Sequence, residues 1–429
     1  MTSALLISAF MQVAEPQGNL TTGHSIILSL VKLLVIFSIW MVTVAMLTLA
    51  ERRVAAWIQD RHGPNRVGPQ GLLQPAADGI KNFMKEETEP SGAYRPIFLL
   101  APALSFIPAL IAWAVIPFAA PLPTPWGLMD MVLADLPIGY LYILAVSSLA
   151  AYGLVLAGWS SNNKYALLGG LRASAQLVSY EVSLGMSIIP IILLGGNVTL
   201  SRIVELQTAG GFNWNILNLT FGFFIFFIAA YAETNRLPFD LPEAESELVA
   251  GFHTEYSSMK FSMFMIAEYA AMLTMSCFMV TLFFGGWDIP FTRWDNVAPW
   301  SVWKTLATLA AFLLKTGFFL FTYMWVRWTL PRFRYDQLMA LGWKVMLPLA
   351  LFYIVVVAFA VIALDNFGVS AGPTQAMMLF ALNLVLLFGM FYILDRGRLI
   401  SPAQGRVSAA ELARLRDVAR RASLAGGAD

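Results

Sequence analysis

Ser25-Ile-Ile-Leu-Ser-Leu-Val-Lys-Leu-Leu-Val-Ile-Phe-Ser-Ile-Trp-Met-Val-Thr-Val-Ala-Met-Leu-Thr-Leu-Ala50 carries one charged side chain, Lys32, and runs directly into Glu51-Arg52-Arg53. A helix of about 20 apolar residues crosses the hydrocarbon core of a bilayer, so this stretch reads as a membrane span. Working outward from it, comparable runs recur at roughly 97–118, 137–158, 178–196, 214–232, 263–286, 304–327, 345–364 and 375–394. The 429 residues are 58% hydrophobic and 12% charged, with a mean hydropathy of +0.69. The expected fold is therefore all-α: a polytopic integral membrane helix bundle of about nine transmembrane helices.

Translocated loops avoid positive charge, and that rule orients the bundle. Segments 51–96, 159–177, 233–262, 327–344 and the tail from 395 hold 22 of the 27 Lys and Arg residues. The opposite side holds Arg202, Arg293 and Lys304, while Lys32 and Lys315 fall inside spans. The N-terminus is expected outside and the C-terminus inside. The chain then divides into an outer segment 1–24, a membrane core 25–364 with inner loops 51–96 and 233–262, a further span within 365–394, and a basic inner tail 395–429. In the tail, Ser408–Ala422 reads either as a short amphipathic helix meeting anionic lipid or a partner, or as a loosely held tail.

Several function classes drop out. The first twenty residues lack a positive n-region and a small-residue cleavage site, so no signal peptide is expected. One cysteine, Cys277, lies within the sixth span, which excludes an internal disulfide or a cysteine-ligated iron-sulfur cluster and leaves packing as its role. His24, His62 and His253 offer no pair within spans for a haem, and no P-loop is present. No metal site is expected in this chain. For Lys315, a structural salt bridge and snorkelling both fit, whereas Lys32 reads as snorkelling.

In the first inner loop, Gly71-Leu-Leu-Gln-Pro-Ala-Ala-Asp-Gly-Ile-Lys-Asn-Phe-Met-Lys85 places Leu73, Ala76, Ala77, Ile80, Phe83 and Met84 on one helical face, with Asp78, Lys81 and Lys85 opposite. Such a helix lies in the membrane interface or against the bundle. Upstream, Arg61-His-Gly-Pro-Asn-Arg-Val-Gly-Pro69 is a turn-rich ribbon suited to close packing. At the end of the first span, Arg52 and Arg53 fit snorkelling, but Glu51 beside anionic lipid needs a partner. Glu181 at the start of the fourth span and Glu268 a turn inside the sixth are functional candidates, since ionisable groups at membrane depth are costly unless paired or hydrated.

The most charged inner stretch is Glu233-Thr-Asn-Arg-Leu-Pro-Phe-Asp-Leu-Pro-Glu-Ala-Glu-Ser-Glu-Leu-Val-Ala-Gly251, with five carboxylates in its first fifteen residues. Pro238 and Pro242 interrupt any helix, so Asp240 is expected in an extended kink and Glu243, Glu245 and Glu247 in the following turn, where a helix dipole favours acids. A cap accounts for one of them. Closely spaced carboxylates raise one another's pKa and exchange protons near neutrality, so a proton relay or a docking surface for a basic partner follows more naturally from the set.

Taken together, Glu51-Arg52-Arg53, Gly63-Pro-Asn-Arg-Val-Gly68, Gly71 to Lys81, Glu233 to Glu245, Glu268-Tyr269 and Trp325 to Gln337 resemble the family of the H subunit (subunit 1 in mitochondria) of proton-translocating NADH:quinone oxidoreductase, respiratory complex I. The resemblance spans about 25–364. It implies a multi-pass subunit of a bacterial inner membrane, with tail and functional loops cytoplasmic, at the junction of the electron-transfer and membrane arms. There it would wall the quinone tunnel, with Glu51, Arg52, Asp78 and Lys81 along it. Glu181, Glu233, Asp240, Glu243, Glu245 and Glu268 would form an acidic path coupling quinone reduction to proton movement.

Quinone would be a substrate entering between the first span and the amphipathic helix. Flavin and iron-sulfur clusters would belong to partner subunits, so no complete catalytic site is expected in this chain alone. Two other readings bear on the same acids. The membrane subunit of an energy-converting hydrogenase shares the acidic loop without needing quinone, and a stand-alone proton or cation transporter would show repeated halves. The extra N-terminal residues, ninth span and tail depart from the family's usual length.

Overall fold

Each of the apolar runs forms or contains a helix, as a lipid environment demands of a backbone that has no water to bond. The computed structural model describes residues 22–124, 127–208, 213–292, 294–297, 299–368 and 373–396. In chain order the helices are α1 (Thr22–Ile58), α2 (Gln74–Met84), α3 (Arg95–Ile111), α4 (Gly139–Ser160), α5 (Lys164–Gly195), α6 (Leu200–Thr208) and α7 (Asn215–Asn218). They continue as α8 (Thr220–Glu233), α9 (Glu245–Leu248), α10 (Ser258–Phe283), α11 (Val302–Thr329), α12 (Tyr335–Ala340), α13 (Leu347–Asn366) and α14 (Pro373–Arg396). Among the described residues, seven helical stretches are long and apolar enough to cross a membrane, and Thr220–Glu233 and Thr374–Met390 are shorter apolar helices.

The bundle is cored by aromatic and aliphatic side chains, among them Tyr180, Ile188, Phe226, Phe278 and Phe283. Small residues let α4 and α5 approach closely: a Cβ at Gly170 would meet the Leu154 carbonyl oxygen at 3.0 Å. Leu34, Ile39, Leu314 and Phe359 point outward and are largely exposed, a surface that suits lipid rather than water.

The element ends differ from the sequence expectation in instructive ways. The fourth span is not a short helix from 178 but a 32-residue one from Lys164, started by Asn163, whose side chain accepts from the Tyr165 amide. Arg172 and Gln176 made its first half look like a loop, yet both find partners in the acidic segment. Glu181 therefore sits in mid-helix, not at a helix start. The sixth span begins at Ser258, which puts Glu268 about 15 Å along the helix rather than one turn in.

Other departures are local. The fifth span breaks at Leu219 into α7 and α8, and α12 continues through a π-helical stretch, Leu341–Met346, into α13. Between α3 and α4, β1 (Ala119–Thr124) pairs antiparallel with β2 (Gly127–Met131), a hairpin the helical reading did not include. Lys32 does more than snorkel. Its Nζ donates to the carbonyls of Asp130, at 2.6 Å, and Val132, tying the hairpin to α1. Lys315 Nζ makes neither a salt bridge nor a lipid contact its main interaction: it donates to the carbonyls of Phe284, Gly286 and Asp288 at 2.6–3.0 Å. Cys277 is buried, its Sγ 3.8 Å from Thr316 Oγ1. Most of the outer segment 1–24 and nearly all of the tail, including Ser408–Ala422, lie outside the described residues.

Candidate functional site

After α8 ends at Glu233, Pro238 and Pro242 keep the chain from resuming a helix, and the segment folds back across the end of the bundle. One side chain secures it. Gln176 Nε2, on α5, has two hydrogens for three acceptors in reach: the carbonyls of Ala232 at 2.7 Å and Phe239 at 2.8 Å, and Asn235 Oδ1 at 3.1 Å. Further anchors are the Phe333 amide, which donates to the Pro238 carbonyl at 3.2 Å, and Arg172, paired with Glu247 at 2.6 Å.

This folding buries Arg236 at the centre of a charge cluster. Its Nη1 donates to both carboxylate oxygens of Glu51, at 2.9 and 3.1 Å, and its Nε lies 2.6 Å from Glu268 Oε1. The guanidinium also stacks over the Tyr269 ring at 4.5 Å. Burial works against its charge, but Glu268 and Glu51 more than offset that, so its pKa is raised and it stays a cation. Glu51 takes a second cation from α11, Arg327 Nη1. One loop and three helices thus meet in a chain of alternating charge, and each buried ion has the partner that makes its burial tolerable.

Two spaces flank this chain. On one side, Glu51, Arg52, Arg61, Tyr269, Arg327 and Trp328 line an opening of about 360 Å³. Arg52 there pairs with Asp78 of α2 at 2.6 Å, and Lys81 Nζ stands 4.0 Å from the same carboxylate. The apolar side chains of α2, notably Ile80, Phe83 and Met84, are mostly exposed, while the single hydroxyl hydrogen of Ser258, within reach of the Asn82 and Lys85 carbonyls at 2.8 and 2.9 Å, holds the helix against α10. On the other side lies a partly open cavity of about 100 Å³ between α3, α4, α8 and α10, lined by Ser105, Ser147, Glu233, Asn235, Glu243 and Glu268. Glu233 Oε2 is buried with no hydrogen-bond partner among the described residues.

The acids of the loop and of α5 differ in their surroundings. Burial, with the Glu243 charge beside it, pushes the Asp240 carboxyl up to about 7, against the pull of Arg332, whose Nη2 is 3.2 Å from Asp240 Oδ2. For Glu243, burial pushes upward, but His253, 3.5 Å away, together with Arg236 and Arg327, holds it below the usual carboxylate range. Glu181 does not line the cavity, although its charge acts on Glu233. The side chain of Glu245 lies outside the described residues.

Of the sequence-selected groups, Glu51 and Arg52 share one opening with Asp78 and Lys81 beside it, and Glu233, Glu243 and Glu268 share the cavity. Sequence reasoning missed the cations: Arg236, Arg327 and Arg332 stood inside the motifs but had no role. The available signal was the rule that a buried acid requires a counter-ion. Among the described residues, no group of three or more His, Cys, Asp or Glu side chains is placed to hold a metal ion.

The NADH dehydrogenase family pattern matches residues 31–358. A relative from Leptospira biflexa serovar Patoc, named as the H subunit of NADH-quinone oxidoreductase, is 51% identical over 334 residues, covering 76% of this chain and 92% of that protein. Proteins of the same name from Rickettsia rickettsii and Rickettsia bellii are 51% identical over 324 residues, covering 75% of this chain and 90% of theirs. With the matched residues carrying the opening, the buried charge chain and the cavity alike, this multi-pass helical chain belongs to the NADH dehydrogenase family, alongside proteins named as the H subunit of NADH-quinone oxidoreductase.

Proposed function

We propose that this chain is a membrane subunit of a proton-translocating NADH:quinone oxidoreductase of a bacterial inner membrane. In this reading nine helices span the bilayer, the N-terminus lies outside, and the acidic loop and tail are cytoplasmic. The membrane core 25–364 carries the function, with loops 51–96 and 233–262 as its working parts. Quinone enters past α2 into the opening beside Glu51 and Arg52, with Asp78 and Lys81 along the way. Electrons come from an iron-sulfur cluster held by a partner subunit, and flavin from another.

The supporting observation is the unbroken line of close charge contacts from that opening to the cavity: Arg327, Glu51, Arg236, Glu268. Reducing a quinone beside Glu51 and Arg327 changes the local charge. In a poorly screened interior that change is felt by each next group, and the cavity has room for several waters between Glu268, Glu243 and Glu233. Glu233, which lines the cavity and whose Oε2 has no hydrogen-bond partner among the described residues, is the group best placed to take up or release a proton there. Asp240, Glu181 and Glu245 extend the path. Glu233→Gln in the assembled complex tests this. Quinone reduction and proton transfer into sealed inverted vesicles should fall together at least fivefold while subunit composition is unchanged, whereas wild-type rates of both refute the relay.

A further inference from the structure

No residue of α2 is buried, and Ile80, Phe83 and Met84 on its apolar face are 65–77% exposed. A helix without a buried stripe draws little of its placement from packing, so polar ties at its two ends have to set it. The N-terminal end is tied to α1: an Arg53 Nη2 hydrogen goes to the Gln70 carbonyl, and Arg52 pairs with Asp78. The C-terminal end is tied to the first turn of α10.

Three side chains build that second tie. Beside the Ser258 hydroxyl, Ser257 Oγ accepts from the Thr88 amide at 3.1 Å and lies 2.8 Å from Thr88 Oγ1. Lys260 Nζ then stands 3.2 Å from Glu87 Oε2 and 3.0 Å from Glu89 Oε1. The Lys260 side chain is only 9% exposed, and its ammonium lies 5.3 Å from the centre of the Phe98 ring. Its stem is already fixed by packing, so this pair gives up less side-chain freedom than an ordinary surface pair. Arg95 also reaches Glu89, at 3.3 Å, but it opens α3 directly after the segment and ties nothing to α10.

We infer that Lys260 is a positioning residue for quinone entry: through Glu87 and Glu89 it holds the C-terminal end of α2, and the apolar face of Ile80, Phe83 and Met84, beside the opening lined by Glu51 and Arg52. This rests on the reading that quinone passes α2. Glu268 and Tyr269 follow on the same helix, roughly 12 Å along it from Lys260, so the anchor of the entrance and the buried charge chain share one rod. Lys260 acts on quinone only through α2. An isoprenoid tail gains from the placed apolar face and a bare headgroup does not, so loss of the anchor is felt by long-tailed quinones alone.

The test uses the whole complex. Lys260→Met keeps the buried stem and removes the charge. Glu87→Gln with Glu89→Gln breaks the same bridge from side chains 49% and 34% exposed, where water takes over and folding is not at stake. In each variant, amides 76–84 should undergo hydrogen exchange about fivefold faster, with those of 262–283 unchanged. KM for a quinone with a long isoprenoid tail should rise about fivefold at constant kcat, while KM for a tailless quinone holds. Asp78→Asn separates the two readings. If it raises the long-tailed KM and the Lys260 variant does not, Lys260 is no positioning residue; if neither does, entry past α2 has failed and the inference with it. Unchanged exchange in 76–84, or equal changes for both quinones, also overturns it.

Discussion

Replacing Arg332 by Gln removes the cation 3.2 Å from Asp240 Oδ2 and leaves the rest of the loop in place. The Arg332 side chain is 31% exposed, so water-like screening applies, and a unit charge pair at that distance is then worth about 1 kcal/mol, or about one pKa unit. Arg332 favours the ionised form of Asp240, so its loss raises further a carboxyl that burial already lifts to about 7. At neutral pH the ionised share therefore falls. The pH profile of NADH-driven quinone reduction by the complex should accordingly shift its midpoint upward by about one unit in Arg332→Gln and hold its place in Arg332→Lys. An assembled Arg332→Gln complex with an unshifted profile would mean that Asp240 does not titrate in turnover.

Arg236→Leu should lower the thermal inactivation midpoint of the complex sharply, because breaking a buried ion pair costs about 3–5 kcal/mol, and Arg236→Leu with Glu268→Gln should recover part of the loss. Asn383→Ala orphans the Phe221 amide, which donates to Asn383 Oδ1 at 3.1 Å, at a cost of about 1–3 kcal/mol, which hydrogen exchange would register as faster opening of residues 219–224 and not of α10. Gln176→Leu should free the acidic loop, and limited proteolysis between 234 and 250 should accelerate several-fold while cleavage elsewhere is unchanged.

The helices were legible because lipid imposes one rule on every residue of a span, and the nine apolar runs obey it. What escaped were features set by distant partners. Arg172 and Gln176 break the apolar run of α5 in sequence, but across space they bind Glu247 and the turn after α8, so the helix continues where hydropathy says it stops. Glu51 plainly required a cation, yet the two that serve it stand 185 and 276 residues away. The hairpin was invisible because Ala-Ala-Pro-Leu-Pro-Thr124 lacks the alternation by which a strand announces itself. Of the acids singled out in sequence, Glu233, Glu243 and Glu268 line one cavity, whereas Asp240, from the same motif as Glu233, and Glu181, in mid-α5, are not among its lining.

The primary amide of Gln176 has two hydrogens and three acceptors within 3.1 Å. One acceptor must always go short, and the most distant of them, the Asn235 side chain, is also the one that borders the cavity. Its release therefore sacrifices almost nothing, since the two backbone carbonyls keep the turn seated. Asn235 is thus the one contact of the three that the turn can forgo with both backbone carbonyls still held by the glutamine.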